Sequence, residues 1–339
     1  MNLDLKYRPR TFDDVCCQNN VRRILENQIE TGEIKQAYLF AGASGCGKTT
    51  SARIFANDIN EGKGKPIEID GASNNGVDNV RNIIEDCRMK SLDSKYKVYI
   101  IDEVHMLSIG AFNALLKVLE EPPKGVIFIL CTTDPQKIPL TIMSRLQRFD
   151  FKRIPVDDIF NRLKYIIEQE NKEGANIQYD EDALLYIAKL ADGGMRAAIK
   201  KLDTVLGYTS NITMQEVEDC LGIASYELME DLLNAIYNNN AKLAVEIIDD
   251  LHYEGKDLKL FISDFTNHIL DLCKFDLTQN LDLTAIPPTQ LKPTTSLVNL
   301  VGSDFLVDML DVFSKLTYKL KYEQNPKAII ESEMILLCR

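Results

Sequence analysis

The stretch that most constrains the fold runs from residue 37 to residue 49. An apolar run, 37–41, reads as a strand; GASGCGKT, 42–49, follows at once, and a helical pattern opens at its end. The spacing G-x-x-x-x-G-K-[ST] between a strand and a helix is that of a loop that cradles phosphates. Glycines let backbone amides turn inward around a β-phosphate. Lys48 then bridges the β- and γ-phosphates, and Thr49 holds Mg²⁺. Gly42, Ser44, Gly45, Cys46, Gly47 and Thr50 complete the phosphate contacts of this reading. A chance glycine-rich turn is the bland alternative, and the strand–helix context argues against it.

The rest of the first half repeats strand and helix signals. Apolar runs at 66–70, 97–102, 126–131 and 149–151 read as further strands, with helical stripes between them, such as Ile109, Phe112, Leu115, Leu116 and Leu119 after Ser108 as N-cap. Continuous apolar strands alternating with helices imply a five-stranded parallel sheet covered on both faces, the α/β class. After Pro155 the strand signals stop and helical patterns take over, one of them opened by Thr213 and Glu216 as a capping box. The proline-bearing stretch 276–295 reads as a loop. The expected division is an α/β phosphate-loop domain over 1–155, a small helical lid over 156–224 and an all-α domain over 225–339, in keeping with a chain of 339 residues.

Composition narrows the function classes. A net charge of −12 argues against a protein that coats nucleic acid by bulk electrostatics. DNA is still open as a partner, because amides at helix N-termini grip phosphates without a basic surface. The eight cysteines form no C-x-x-C pair, which speaks against zinc and against a disulfide scaffold. Cys46 is either an oxidation-sensitive thiol in the phosphate loop or a small tolerated side chain. No run approaches the ~20 apolar residues of a membrane helix. Residues 1–10 are polar and unlike a secretion signal, so the expected location is cytoplasmic.

Four further places along the chain carry chemistry. Asp102 and Glu103 end an apolar strand at the sheet edge where ligands bind. Asp102 would reach Mg²⁺ through water, and Glu103 would polarise an attacking water. Thr132 and Thr133 end the next strand, where a hydroxyl reports on a γ-phosphate or merely caps a turn. Arg145 is badly placed for the chain's own nucleotide but able to reach a neighbour's, where such an arginine is worth roughly 10³–10⁵ in rate; an ordinary surface arginine is the alternative. Arg196, at the start of a helix after Gly193 and Gly194, either folds over the γ-phosphate or forms a salt bridge.

These sites, in this order, resemble the AAA+ ATPases of sliding-clamp loaders, and most of all the bacterial DNA polymerase III gamma/tau subunits. The likeness is carried by KYRPRTFDDV (6–15), EIDGASNNGVD (68–78), YIIDEVHML (99–107), FNALLKVLEEPP (112–123), TTDPQKIP (132–139) and SRLQRFDFKR (144–153). It implies an AAA+ sheet domain, a lid and an oligomerising collar. It implies five subunits in an open spiral, as a hetero-pentamer or with several copies of this motor subunit. ATP binding holds a sliding clamp open, primer–template DNA triggers hydrolysis, and the clamp closes on DNA. By the same likeness Thr133 is the first sensor, Arg145 the finger given to a neighbour and Arg196 the second sensor. Tyr7, Arg8 and Pro9 wall the adenine pocket, and the helix start near 74–77 grips DNA phosphates. A non-hydrolysing stator subunit, or a hexameric ATPase acting on forks or branched DNA, are the other readings.

The chain departs from the family in four ways. NEGKGK (60–65) stands where the family carries a four-cysteine zinc module, so no structural zinc is expected. Leu146 replaces the cysteine of the usual S-R-C, and Ala197 replaces an acidic residue after the second sensor. The expected form ends at the collar without a tau-type extension. That compact form suggests a phage-encoded or reduced loader.

Overall fold

A computed structural model describes residues 2–89 and 93–339; Met1, at the head of the polar N-terminal stretch, lies outside them. The chain divides into two compact units, Met1–Arg162 with Ala191–Lys200, and Leu163–Leu190 with Lys201–Arg339.

The first unit opens with the short helix α1 (Leu3–Lys6) and continues through α2 (Asn19–Thr31), β1 (Ala37–Gly42), α3 (Lys48–Asp58), β2 (Ile67–Asp70) and α4 (Val77–Asp86). It goes on through β3 (Lys97–Asp102), α5 (Ile109–Glu120), β4 (Val126–Thr132), α6 (Leu140–Met143) and β5 (Gln147–Phe151). Its five strands form one sheet in the order β2-β3-β4-β1-β5, with every pair parallel. Parallel strands need helical crossovers, and the crossovers cover both faces. β1 and β4 therefore lie buried along nearly their whole length. Successive side chains of β1 point to opposite faces. Tyr38 and Phe40 join Leu25, Phe55, Phe149 and Phe151 on one face, while Leu39 joins Tyr99, Leu115, Phe128 and Leu130 on the other.

Strand order places the chemistry. β4 lies between β3 and β1, so the C-terminal ends carrying Asp102, Thr132 and Gly42 are neighbours although they are far apart in sequence. Residues 60–65 connect α3 to β2, and Asn60 ties that connection to the residue before β3, its side chain accepting from Tyr96 N at 2.8 Å and donating to Tyr96 O at 2.9 Å. Ser108 caps α5, its hydroxyl accepting from Ala111 N at 3.2 Å.

The division between the units falls inside two helices, α7 (Val156–Lys172) and α9 (Met195–Tyr208), with α8 (Glu181–Lys189) between them. The second unit is otherwise built from α10 (Met214–Leu221), α11 (Tyr226–Tyr237), α12 (Ala241–Tyr253), α13 (Leu258–Thr278), α14 (Leu291–Val301), α15 (Ser303–Leu320) and α16 (Pro326–Leu337). Thr213 caps α10 by accepting from Glu216 N at 3.3 Å. Phe265 of α13 meets Phe313 of α15 edge to face at 4.7 Å.

Two details differ from the sequence reading. A pair of two-residue parallel strands, β6 (Gln178–Tyr179) and β7 (Asn211–Ile212), follows Pro155; elements so short leave no periodic pattern. The stretch 276–295 is only in part irregular. α13 runs on to Thr278, and α14 begins at Leu291, with Pro293 in its first turn. A first-turn residue has no intrahelical use for its N–H, so proline is tolerated there. Among the described residues, no helix is long and apolar enough to cross a membrane.

Candidate nucleotide site

The loop between β1 and α3 ends on Gly47, the N-cap of α3, at φ +104°, a conformation that side chains resist. Lys48 follows and is buried. Its ammonium donates to the carbonyls of Gly42 and Ala43, both at 2.8 Å. Thr49 Oγ1 donates to Asp102 Oδ2 at 2.7 Å, and Asp102 Oδ1 accepts from Glu103 N at 3.0 Å. A hydroxyl and a carboxylate in contact are oxygen donors of the kind Mg²⁺ takes alongside phosphate oxygens.

Glu103 leaves β3 in the left-handed region, at φ 45° and ψ 45°. Its Oε2 accepts from the hydroxyl of Thr133 at 2.9 Å and from Thr133 N at 3.3 Å. Gly71 supports this corner from the end of β2. Its amide donates to Asp102 O at 2.8 Å, and a Cβ there would come within 2.8 Å of the carbonyl oxygens of both Asp102 and Glu103. Only glycine lets the two backbones approach so closely.

A cavity joins this edge to the N-terminal segment. Tyr7, Arg8, Pro9, Val15 and Cys16 line it together with 44–50, Asp102, Glu103, Arg162 and Arg196. Arg8 Nε donates to Thr50 Oγ1 at 3.4 Å, and burial, reinforced by Arg53, lowers its pKa. Tyr7 O accepts from Arg162 at 3.0 Å. Met195 N donates to Gly45 O at 3.0 Å, which seats the start of α9 on the phosphate loop. Arg196 Nε lies 3.1 Å from Oδ2 of Asp4, whose side chain is only 8 % exposed. Cys46 is buried, donates to Ala43 O at 2.9 Å, and has its pKa raised by burial, so the loop presents no exposed thiolate.

Arg145 stands apart from this group. At the end of α6 it hydrogen-bonds Thr141 O and Ser144, and its guanidinium meets Glu120 Oε1 at 2.7 Å. The structure thus gathers the phosphate loop, Tyr7, Arg8, Pro9, Asp102, Glu103, Thr133 and Arg196 at one sheet edge and leaves Arg145 outside it.

Comparison with known proteins bears on what this edge belongs to. Residues 66–155 match the family described as DNA polymerase III, delta subunit, and residues 212–339 match DNA polymerase III subunits gamma and tau domain III. DNA polymerase III subunit gamma of Buchnera aphidicola subsp. Schizaphis graminum is 34% identical over 78% of this chain and 78% of its own. The chain belongs to the DNA polymerase III gamma/tau family. DNA polymerase III subunit tau of Bacillus subtilis is 37% identical over 98% of this gamma/tau chain, which spans 62% of that relative's length. A solved structure of Thermotoga maritima RuvB covers 68% of the chain, and 79% of its own, at 22% identity and a TM-score of 0.52, a likeness of fold. The sheet and the helices that follow it are those of an AAA+ domain with helical additions.

Three contributors to the site of this gamma/tau chain escaped sequence reasoning. Gln18 is buried and bridges Cys46 O at 3.2 Å to the backbone of Lys152, donating to its O at 2.8 Å and accepting from its N at 3.2 Å. It clasps the phosphate loop to the residue after β5. Asp4 and His105 are the others. Each is a lone polar residue without a spacing signal, and only the folded chain puts them beside Arg196 and Glu103.

Proposed function

We propose that the chain is the ATP-hydrolysing motor subunit of a sliding-clamp loader. The observation that carries this reading is the contact of Thr49 with Asp102 at 2.7 Å, with Glu103 next in sequence and bonded to Thr133. Phosphate loop, metal donors, water-polarising carboxylate and γ-phosphate reporter thus lie on three adjacent strand ends.

In this reading Lys48 exchanges its bonds to the Gly42 and Ala43 carbonyls for β- and γ-phosphate oxygens. Thr49 and Asp102 would hold Mg²⁺, which neutralises charge on the transferred phosphoryl group. Glu103 takes a hydrogen bond from the attacking water. Thr133 donates to the γ-phosphate and thereby gives up the Glu103 carboxylate. Arg196 leaves Asp4 for the γ-phosphate, while Tyr7, Arg8 and Pro9 face the base. Arg145 serves the nucleotide of a neighbouring subunit. We assign 156–224 as the lid and 225–339 as the collar through which subunits associate. ATP binding holds the clamp open and primer–template DNA, gripped through its phosphates near the start of α4, triggers hydrolysis in the cytoplasm.

The test is ATP turnover by the purified chain with candidate clamp, primed DNA and partner subunits. Turnover stimulated by clamp and DNA is expected, with Lys48→Ala losing nucleotide binding. Absence of turnover in the complete assembly would leave a stator. Native mass showing a homo-hexamer would favour a fork-remodelling ATPase.

A further inference from the structure

We propose that His105 is a positioning residue for Glu103, holding its carboxylate through Nδ1–H once the Thr133 hydroxyl is drawn to the γ-phosphate. The inference rests on the hydrolytic reading above and adds a residue to it.

The local fold sets up the contact. After Glu103 turns out of β3 in the left-handed region, Val104–Met106 form a single 3₁₀ turn. That turn carries His105 back against the end of β4, where its side chain is only 10% exposed. Nδ1 lies 3.3 Å from Glu103 Oε2 and 3.1 Å from the hydroxyl of Thr132, which is fully buried. Thr132 Oγ1 also accepts from Asp134 N at 3.0 Å.

Proton placement follows from these neighbours. An unprotonated Nδ1 could accept from the Thr132 hydroxyl at 3.1 Å, but its lone pair would still face a carboxylate oxygen 3.3 Å away, which is repulsive. A protonated Nδ1 donates instead, shared between Glu103 and Thr132, and hydrogen bonds to a charged acceptor are the stronger kind. Nδ1–H is therefore the arrangement the site selects.

The histidine matters because Thr133 cannot serve two acceptors. Its hydroxyl has one proton, given at 2.9 Å to Glu103 Oε2 in this structure. When that proton goes to the γ-phosphate, the remaining side-chain donor on Oε2 is His105. All these donors fall on Oε2, so Oε1 stays the oxygen that takes the hydrogen bond from water. Without His105, a single long bond from Thr133 N, at 3.3 Å, would be left to hold Oε2 at the moment its orientation counts, and catalysis depends on held geometry.

The experiment compares wild type, His105→Ala and His105→Asn, in which the amide nitrogen takes the place of Nδ1 as donor. Each full-length chain is assayed for kcat and KM with its partner subunits and primed DNA, for affinity toward a fluorescent ATP analogue, and for melting temperature. His105→Ala should lose roughly 10–100-fold in kcat, a cost like that of removing the partner that orients a metal ligand, with KM and analogue affinity unchanged. His105→Asn should recover most of the loss. Nitrogen NMR of the free chain, which has three histidines, should find His105 protonated at Nδ1. An alanine variant with wild-type kcat overturns the proposal. So does a loss that tracks melting temperature and affinity without recovery in His105→Asn, as does an unprotonated Nδ1. A wild-type chain that turns over no ATP overturns the motor reading itself.

Discussion

Lys48, Thr49, Glu103 and Arg196 each hold a partner within the chain: backbone carbonyls, Asp102, Thr133 and Asp4 respectively. A buried polar group left unpaired costs about 1–3 kcal/mol, so these internal bonds stabilise the site. They also have to be exchanged when a triphosphate enters, which lowers the net gain of binding. Asp4 is the dispensable member of the set. It pairs with an arginine that is two-thirds exposed, and its charge opposes that of the polyphosphate. Asp4→Asn should therefore bind ATP a few-fold more tightly, worth about 1 kcal/mol or less because solvent screens the exposed arginine. The gain should shrink as salt is raised and ions screen the pair. Fluorescent-nucleotide titrations at low and high ionic strength would measure it, and weaker binding would show that Asp4 orients Arg196 rather than competing for it.

At the scale of elements, α10 carries a titrating group that the proposed chemistry does not use. Glu218 is pushed up to about 7, chiefly by burial and then by Asp219 and Glu227, with Lys256 opposing. Its ordinary value is 4.5, so the stabilising, protonated form is fully present below that pH. The contribution is lost as pH rises toward 7 and the half-buried carboxylate ionises. Glu218→Gln stays neutral and should be more stable than wild type at pH 8, by about 1–2 kcal/mol after allowing for solvent screening, and so melt higher. The two should coincide near pH 4.5, and thermal melts at both pH values would decide. Burial of this kind cannot be read from a sequence, whereas the elements mostly can. The strands of the sheet were legible to within two residues because apolar runs such as 126–131 are too short for a helix and are bounded by turn residues. α14 was hidden by Pro293, which suits a first turn and a loop equally well. In the site, motif spacing picks out residues whose neighbours in sequence carry the pattern, such as Lys48 and Asp102. Gln18 and His105 work through contacts across strand ends, and a sequence shows no contacts.

At the scale of the whole molecule, the position of Arg145 makes the sharpest demand. It lies outside the cavity of its own chain, tied to Glu120, so a catalytic role requires a neighbour. Arg145→Ala should bind nucleotide normally and lose turnover only in the assembly, by the roughly 10³–10⁵-fold expected of an arginine supplied in trans. Loss alone would not establish the direction of supply, since a misfolded interface gives the same result. Mixing resolves it. A Lys48→Ala chain has no working site but keeps Arg145; an Arg145→Ala chain has a working site but no finger to give. Wherever two copies adjoin in the right order, the first completes the second. Combined before assembly with the other subunits, the two inactive variants should regain turnover that neither has alone, in proportion to the frequency of that pairing. The double variant, diluted with more of itself, should regain none. If the mixture is as inactive as its components while native mass shows that mixed assemblies form, Arg145 does not act between copies of this chain.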